Sequence, residues 1–285
     1  MIYFCADDYG ISAGSNQRIE ECMKYGILNK TSVLLNGETA DFKKQLSAYD
    51  AAVGLHINLI EGRPLSETKD IPLLVADNGY FKHSFGGLLR LSLSPKRKVF
   101  AKQVYTEIQT QIRLWKSYMG DEPVMLDSHQ HIHMIPLIFK TLMRVIEDEG
   151  LKVSYLRVPS EPILQYILTP SLYLTYSLSG AMKQWLLKFF AGINRKRLKK
   201  SKIPTALFMG AMFSGKVDQN KLTKMLPRYI KLAEKRKSDI EIGLHPGYLK
   251  AGEKPIEGSQ KGFAKFYFSP WRKTEYDTLL NFKLK

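Results

Sequence analysis

The chain has 285 residues, 44% hydrophobic and 25% charged, which is enough apolar material for a large core. This composition excludes a disordered chain, and two cysteines, Cys5 and Cys22, are too few for a disulfide framework. Lys and Arg number 43 against 27 Asp and Glu, and the net charge of +16 suits nucleic acid, an acidic substrate or an anionic membrane surface.

Seven short apolar runs recur along the chain, each followed by a polar or glycine-containing break. In order they are Ile2–Ala6, Ser32–Asn36, Ala52–Ile57, Val124–Asp127, Val153–Val158, Pro204–Met209 and Ile240–Leu244. They are rich in Val, Ile, Leu and aromatics without strict alternation, the pattern of parallel strands buried on both faces. Helical stripes lie between them. Ile19, Cys22 and Met23 share one face before Gly26. Val104, Ile108, Ile112, Trp115 and Met119 follow helical spacing and stop at Gly120. Pro136 opens a helix carrying Phe139, Leu142, Met143 and Ile146, and Leu222, Met225, Leu226, Tyr229 and Ile230 mark another. Both cysteines read as small core residues.

This alternation predicts an α/β fold with right-handed crossovers. Seven parallel strands in one chain suggest a single barrel domain over residues 1–285, incomplete or distorted, with an open doubly wound sheet as the alternative. No glycine-rich phosphate motif follows a strand, so nucleotide binding has no support. The start, MIYFCADDYG, lacks the basic region of a signal peptide and predicts a cytoplasmic protein.

Polar residues gather where four of these strands end. The first ends in Asp7-Asp8, the third at His56, the fourth runs into Asp127-Ser128-His129-Gln130-His131-Ile132-His133, and the seventh ends at His245. Parallel α/β folds build their sites at these carboxyl ends. Asp127, His129, His131 and His133 are spaced by two, so an extended backbone would put them on one face, although not all need face one cavity because the strand must end before the helix near Pro136. Carboxylates and imidazoles meeting there predict a metal site, with a purely structural polar network as the alternative. One carboxylate, two neutral imidazoles and water suit a catalytic ion, zinc by imidazole preference or magnesium if water fills the shell. Two adjacent aspartates can divide the work, one binding the ion and the other taking a proton from its water. A histidine across the site can protonate a leaving group.

The motifs ADDYG, NKTSVLLN, GLHINLIEGRPL, DSHQHIHMIP and GLHPGY, in this order, resemble the YdjC-like carbohydrate deacetylases, the chitooligosaccharide and hopanoid-biosynthesis deacetylase type. Tyr267 followed by Arg272 and Glu275 extends the match toward the C-terminus. The resemblance implies a deviating TIM-like (β/α) barrel, one divalent metal ion (Mg2+ or Zn2+), and hydrolysis of an N-acetyl group from an amino sugar by attack of a metal-bound water. It implies Asp8, His56 and His129 as metal ligands, Asp7 as general base and His245 as acid or oxyanion stabiliser. Asp127, His131 and His133 would support the ligands or contact substrate. Arg157 and Glu161 fit a pattern after the fifth strand and would orient the site or the sugar, or else form an ordinary surface ion pair.

Two segments lie outside this core. The stretch from Glu61 to about Phe85 is long for a connecting loop, and its Tyr80 and Phe81 could stack on a sugar or merely pack the loop. After Glu161, no charged residue occurs from Pro162 to Met182, and a basic run from Lys183 to Lys202 follows. This apolar and basic insertion, 162–203, is too polar for a spanning helix. It reads as a cap over the site, a subunit interface in a homodimer, or a segment dipping Trp185, Leu186, Leu187, Phe189 and Phe190 into an anionic membrane. The last would place the enzyme at the inner face of the membrane, near a lipid-linked glycan.

Two other functions fit parts of the pattern. A metal-dependent phosphoesterase would share the barrel but normally needs a second ion. A non-enzymatic membrane or nucleic-acid binder would use the basic segment, yet it leaves the strand-end cluster unexplained, and no nucleic-acid-binding signature is present.

Overall fold

The computed structural model describes residues 1–213, 215–259 and 261–284. Its elements run β1 (Ile2–Tyr9), α1 (Ala13–Tyr25), β2 (Lys30–Val33), α2 (Phe42–Leu46), β3 (Ala52–Ile57), α3 (Phe85–Leu93), α4 (Arg97–Met119), β4 (Val124–Ser128) and α5 (Pro136–Asp148). They continue with β5 (Val153–Leu156), α6 (Ile163–Ile167), α7 (Leu178–Ser201), β6 (Leu207–Met209), α8 (Gln219–Arg236), β7 (Ile240–Leu244), α9 (Lys261–Tyr267) and α10 (Pro270–Asn281). All seven strands belong to one sheet in the order β5-β4-β3-β2-β1-β7-β6, and every pair is parallel. The sheet curls rather than lying open. Its two edges approach each other where the Leu156 amide donates to the Pro204 carbonyl at 3.0 Å. The expected deviating barrel is therefore the observed one.

The strands do alternate, contrary to the expectation from their composition. Phe4, Ala6, Val33, Leu55, Ile57, Leu126, Leu156, Ile240 and Ile242 belong to the main hydrophobic core with the helices. The intervening residues face the barrel interior and are polar: Asp7, Lys30, Ser32, His56, Asp127, Tyr155 and Glu241 all bond to one another or to Arg157 there. A period of two separates the faces, and the apolar reading holds for only one of them. The register enforces this packing, since His56 on β3 lies opposite Asp127 on β4 and their side chains emerge on the same face.

Helices cover the outside by the stripes that the sequence predicts. α4 buries Phe100, Val104, Ile108, Ile112 and Trp115, each such burial worth roughly 1.5–3 kcal/mol. It also fixes the long segment after β3. Glu107 accepts the amides of Leu65 and Ser66 at 3.0 and 2.9 Å, and Gln103 accepts that of Leu73 at 2.8 Å. This segment thus lies along α4. Phe81 is buried in the core and pairs with Val75. Tyr80 lies under the Arg63 guanidinium, 4.3 Å from its ring centre.

Candidate active site

A cavity of about 410 Å³ opens at the carboxyl ends of the strands. Asp7, Asp8, His56, His129, His131 and His245 all line it. Six of the residues named from the sequence therefore converge on one space.

Adjacent aspartates on a regular strand would point to opposite faces. Here the β1–β2 register shifts between Ala6 and Tyr9, and Asp8 takes a positive φ of 70°. Such an irregularity turns a side chain at a cost of about 1–2 kcal/mol. Asp7 and Asp8 consequently both reach the cavity, with different partners.

Asp8 is held by Arg272, whose guanidinium lies 2.5 Å from Oδ2. Its other oxygen, Oδ1, lies 2.9 Å from Nδ1 of His129 and 3.6 Å from Nε2 of His56. The far nitrogen of each imidazole is also held by a carboxylate. His56 Nδ1 donates to Asp127 at 2.6 Å, and His129 Nε2 donates to Glu61 at 2.9 Å. Tyr267 donates to the same Glu61 oxygen, and Ser259 donates to the other at 2.6 Å.

This arrangement fits a metal centre. One oxygen of Asp8 and one nitrogen of each imidazole lie within 4.8 Å of one another. The outer nitrogens are fixed by carboxylates, the support that metal-bound imidazoles usually have. Burial opposes charge on His129, but Asp8 and Glu61 outweigh it and raise its pKa to about 10. Burial likewise opposes ionisation of Asp8, and His129 and Arg272 overcome it, keeping the carboxyl well below its ordinary range. An ion entering here would displace a proton from His129.

Asp7 belongs to a buried network inside the barrel. Arg157 grips it with two bonds of 2.7 and 2.8 Å, and also reaches Asp127 at 2.8 Å and Glu241 at 2.9 Å. Lys30 adds a second cation 2.6 Å from Glu241, and Tyr155 donates to the other Glu241 oxygen. Burial opposes ionisation of all three carboxylates, and Arg157 outweighs it, holding Asp7 and Asp127 below the carboxylate range and Glu241 at about 2. Other clusters of potential ligands among the described residues, Cys5-Asp127-Glu241 and Asp7-His56-Asp127, lie around this network, where Arg157 and Lys30 already supply positive charge.

The remaining named residues are placed as follows. His245 lines the cavity, with Glu275 accepting its backbone amide at 2.5 Å and lying 3.6 Å from Nδ1. His131 lies edge-on to Phe208 at 5.6 Å, and burial keeps it neutral. The strand ends at Ser128, so the shared face of an extended backbone does not carry through to His133. A tight turn follows, with Gln130 and His131 at positive φ of 53° and 60°. It directs His133 away from the cavity. Ser128 donates to Nδ1 at 2.5 Å, and Nε2 donates to the Arg157 carbonyl at 2.9 Å. Arg157 and Glu161 are not a surface pair, since both are buried. Glu161 accepts the amides of Gly210, Ala211 and Met212 and so holds the loop after β6. Burial raises its pKa to about 7, against the pull of those amides. Tyr80 and Phe81 do not line the cavity. Its apolar wall consists of Phe85, Leu186, Leu187 and Phe266, with Lys183 entering from α7.

His133 makes a testable contribution to stability. Burial lowers its pKa from 6.5 to about 4 in the folded chain, and the Arg157 carbonyl offsets only part of this. Between those values the unfolded chain binds a proton that the native chain refuses. Stability therefore falls as pH drops through this window, by about 1.4 kcal/mol per pH unit at the steepest. We expect His133→Gln to flatten the pH dependence of urea unfolding by up to that amount. An unaltered slope would show that His133 titrates alike in both states.

Glu61, Lys30 and Glu241 are absent from the sequence-derived site. Glu241 carried a signal, as the one charged residue within the run Ile240–Leu244. Glu61 directly follows Leu59 and Ile60, just after the third run. Lys30 precedes the run Ser32–Asn36.

The fold and site together define a parallel α/β barrel with a buried carboxylate–imidazole centre at the strand ends. The YdjC-like protein family model matches residues 1–285, and the chain belongs to that family. It is 32% identical over 161 residues to a carbohydrate deacetylase of Danio rerio, covering 56% of this chain and 50% of that protein. It is 30% identical over 148 residues to a chitooligosaccharide deacetylase of Escherichia fergusonii, covering 51% of this chain and 55% of that one. The chain thus spans about half the length of the curated relatives it matches. An Enterococcus faecalis V583 protein, provisionally assigned to cellobiose-phosphate cleavage, has a similar fold. Its TM-score is 0.64 at 20% identity, covering 98% of this chain and 90% of that one.

Proposed function

We propose that this protein is a hydrolase that removes the N-acetyl group from an amino sugar. The observation that carries this reading is the convergence of Asp8, His56 and His129 in one cavity, with Asp7 and His245 on its wall. The names of the two deacetylase relatives support the same bond. Asp8, His56 and His129 would hold a divalent ion, zinc or magnesium. Such an ion supplies Lewis-acid chemistry, acidifying water and polarising an acyl carbonyl.

The residues around it have separable tasks. Asp7 accepts the proton of the attacking water, and Arg157 keeps that carboxylate ionised and aimed. Water adds to the acetyl carbon, the C–N bond breaks, and His245 gives a proton to the departing amine. Acetate and the free amino sugar are the products. Asp127 and Glu61 orient the two ligand imidazoles, and Arg272 holds Asp8. A phosphoesterase using two ions finds less support, because the other donor clusters surround Arg157 and Lys30.

The test is acetate release from a panel of N-acetylated mono-, oligo- and lipid-linked sugars. We expect release from at least one member, its loss after chelation, and its return with zinc or magnesium. Elemental analysis should find one ion per chain, and none in His129→Ala. Release that survives exhaustive chelation would overturn the metal assignment. No release from any member, with the ion bound, would overturn the deacetylase reading.

A further inference from the structure

α7 has two faces with different fates. Its inner side packs on the body of the protein: Leu187 and Phe190 are buried, Asn194 donates to the Met134 carbonyl at 2.9 Å, and Phe190 stacks near Phe85. Its outer side carries Leu178, Met182, Trp185, Phe189 and Ile193, separated by four, three, four and four residues, and all are exposed. Trp185 is 66% accessible and stacks parallel to Phe189, 5.9 Å away. The same helical face continues through Lys196 and Lys200, and Lys188, Arg195 and Lys199 flank it. From Pro162 to Val217 the chain has no Asp or Glu.

We propose that this face docks on an anionic lipid surface. An apolar stripe with an aromatic pair and a basic flank is the composition of an interfacial helix, whose side chains enter the headgroup region while its cations meet anionic lipid. Charge complementarity favours this occupant over a second copy of the chain. A two-fold contact would set the same patch against itself and bring basic residues together. The helix lies along the surface and does not cross it, and among the described residues no helix is long and apolar enough to span a membrane. Of the residues first expected to enter lipid, Trp185 and Phe189 point outward. Leu186 and Leu187 line the cavity instead, and Phe190 is buried.

Docking has a consequence for substrate. Lys183, Leu186 and Leu187 of the same helix line the cavity, so its mouth would lie within about one helix diameter, roughly 10 Å, of the lipid. This favours an amino sugar carried on a lipid anchor, a refinement that rests on the deacetylase reading.

The experiment is co-sedimentation with phosphatidylcholine vesicles, with and without phosphatidylglycerol, at low and high salt. We expect binding that requires phosphatidylglycerol, weakens in salt, and shifts Trp185 emission to the blue. The variants Met182→Ser/Phe189→Ser and Lys196→Ser/Lys199→Ser/Lys200→Ser should each reduce partitioning roughly tenfold or more. Circular dichroism should confirm that both remain folded. Absence of wild-type binding, or equal binding by folded variants, would overturn the proposal. So would a concentration-dependent dimer in light scattering that these variants abolish, since the face would then join two copies. Vesicle binding is read without turnover, so its failure leaves the deacetylase reading standing, and the acetate panel decides that reading separately.

Discussion

Asp7→Asn should reduce turnover by about 10²–10⁴-fold, the usual contribution of a positioned general base, while bound metal stays at the wild-type level. The substitution keeps the shape and removes the proton acceptor. Arg157 presently gives Asp7 two charge-assisted bonds, and an asparagine would retain one acceptor for it. Fold and metal content are therefore expected to survive. Rates and elemental analysis on one preparation separate the two roles given to the adjacent aspartates. A variant that turns over normally would remove Asp7 from the mechanism. One that loses its metal would make Asp7 a ligand.

Arg157→Gln should destabilise the protein by about 3–5 kcal/mol, the cost of removing one partner from a buried ion pair. Three buried carboxylates, Asp7, Asp127 and Glu241, share this guanidinium, and Lys30 would remain as the second cation of the network. The network cannot be ranked by counting pairs, because each bond also positions the others. Coupling is the better measurement. In a cycle with Glu241→Gln, the double variant should lose clearly less than the sum of the singles, since removing an anion relieves the charge imbalance. Additive losses in urea unfolding would show that Arg157 and Glu241 contribute independently. Activity should fall as well, because Asp7 would lose the group that aims it.

The strands were legible because apolar runs bounded by turn residues are a strong local signal. Most of the cavity was legible too, since Asp7, Asp8, His56, His129 and His245 stand where such runs stop. What escaped was the interior of the barrel. Lys30 and Glu241 neutralise each other across the sheet, and no local pattern pairs residues 211 positions apart. Where the strand stops was not legible, because a spacing of two implies a shared face only while the backbone stays extended. The positive φ of Gln130 and His131 breaks that condition. In the insertion 162–203 the composition shows an apolar stretch and a basic run, and α7 lies across both. Its helical period separates Trp185 and Phe189 from Leu187 and Phe190, and only that period distinguishes the buried side from the exposed one.

The bond from Arg272 to Asp8 joins residues 264 positions apart. During synthesis Asp8 must wait for the 264 residues that lead to Arg272, on the order of tens of seconds at ordinary elongation rates. Throughout that interval the irregular turn at Asp8 lacks the guanidinium that holds its carboxylate. The candidate centre is therefore incomplete until Arg272 has been made. A chain released before Arg272 would carry all seven strands and still present an unfinished centre, so this long-range clasp ties the candidate site to the synthesis of α10.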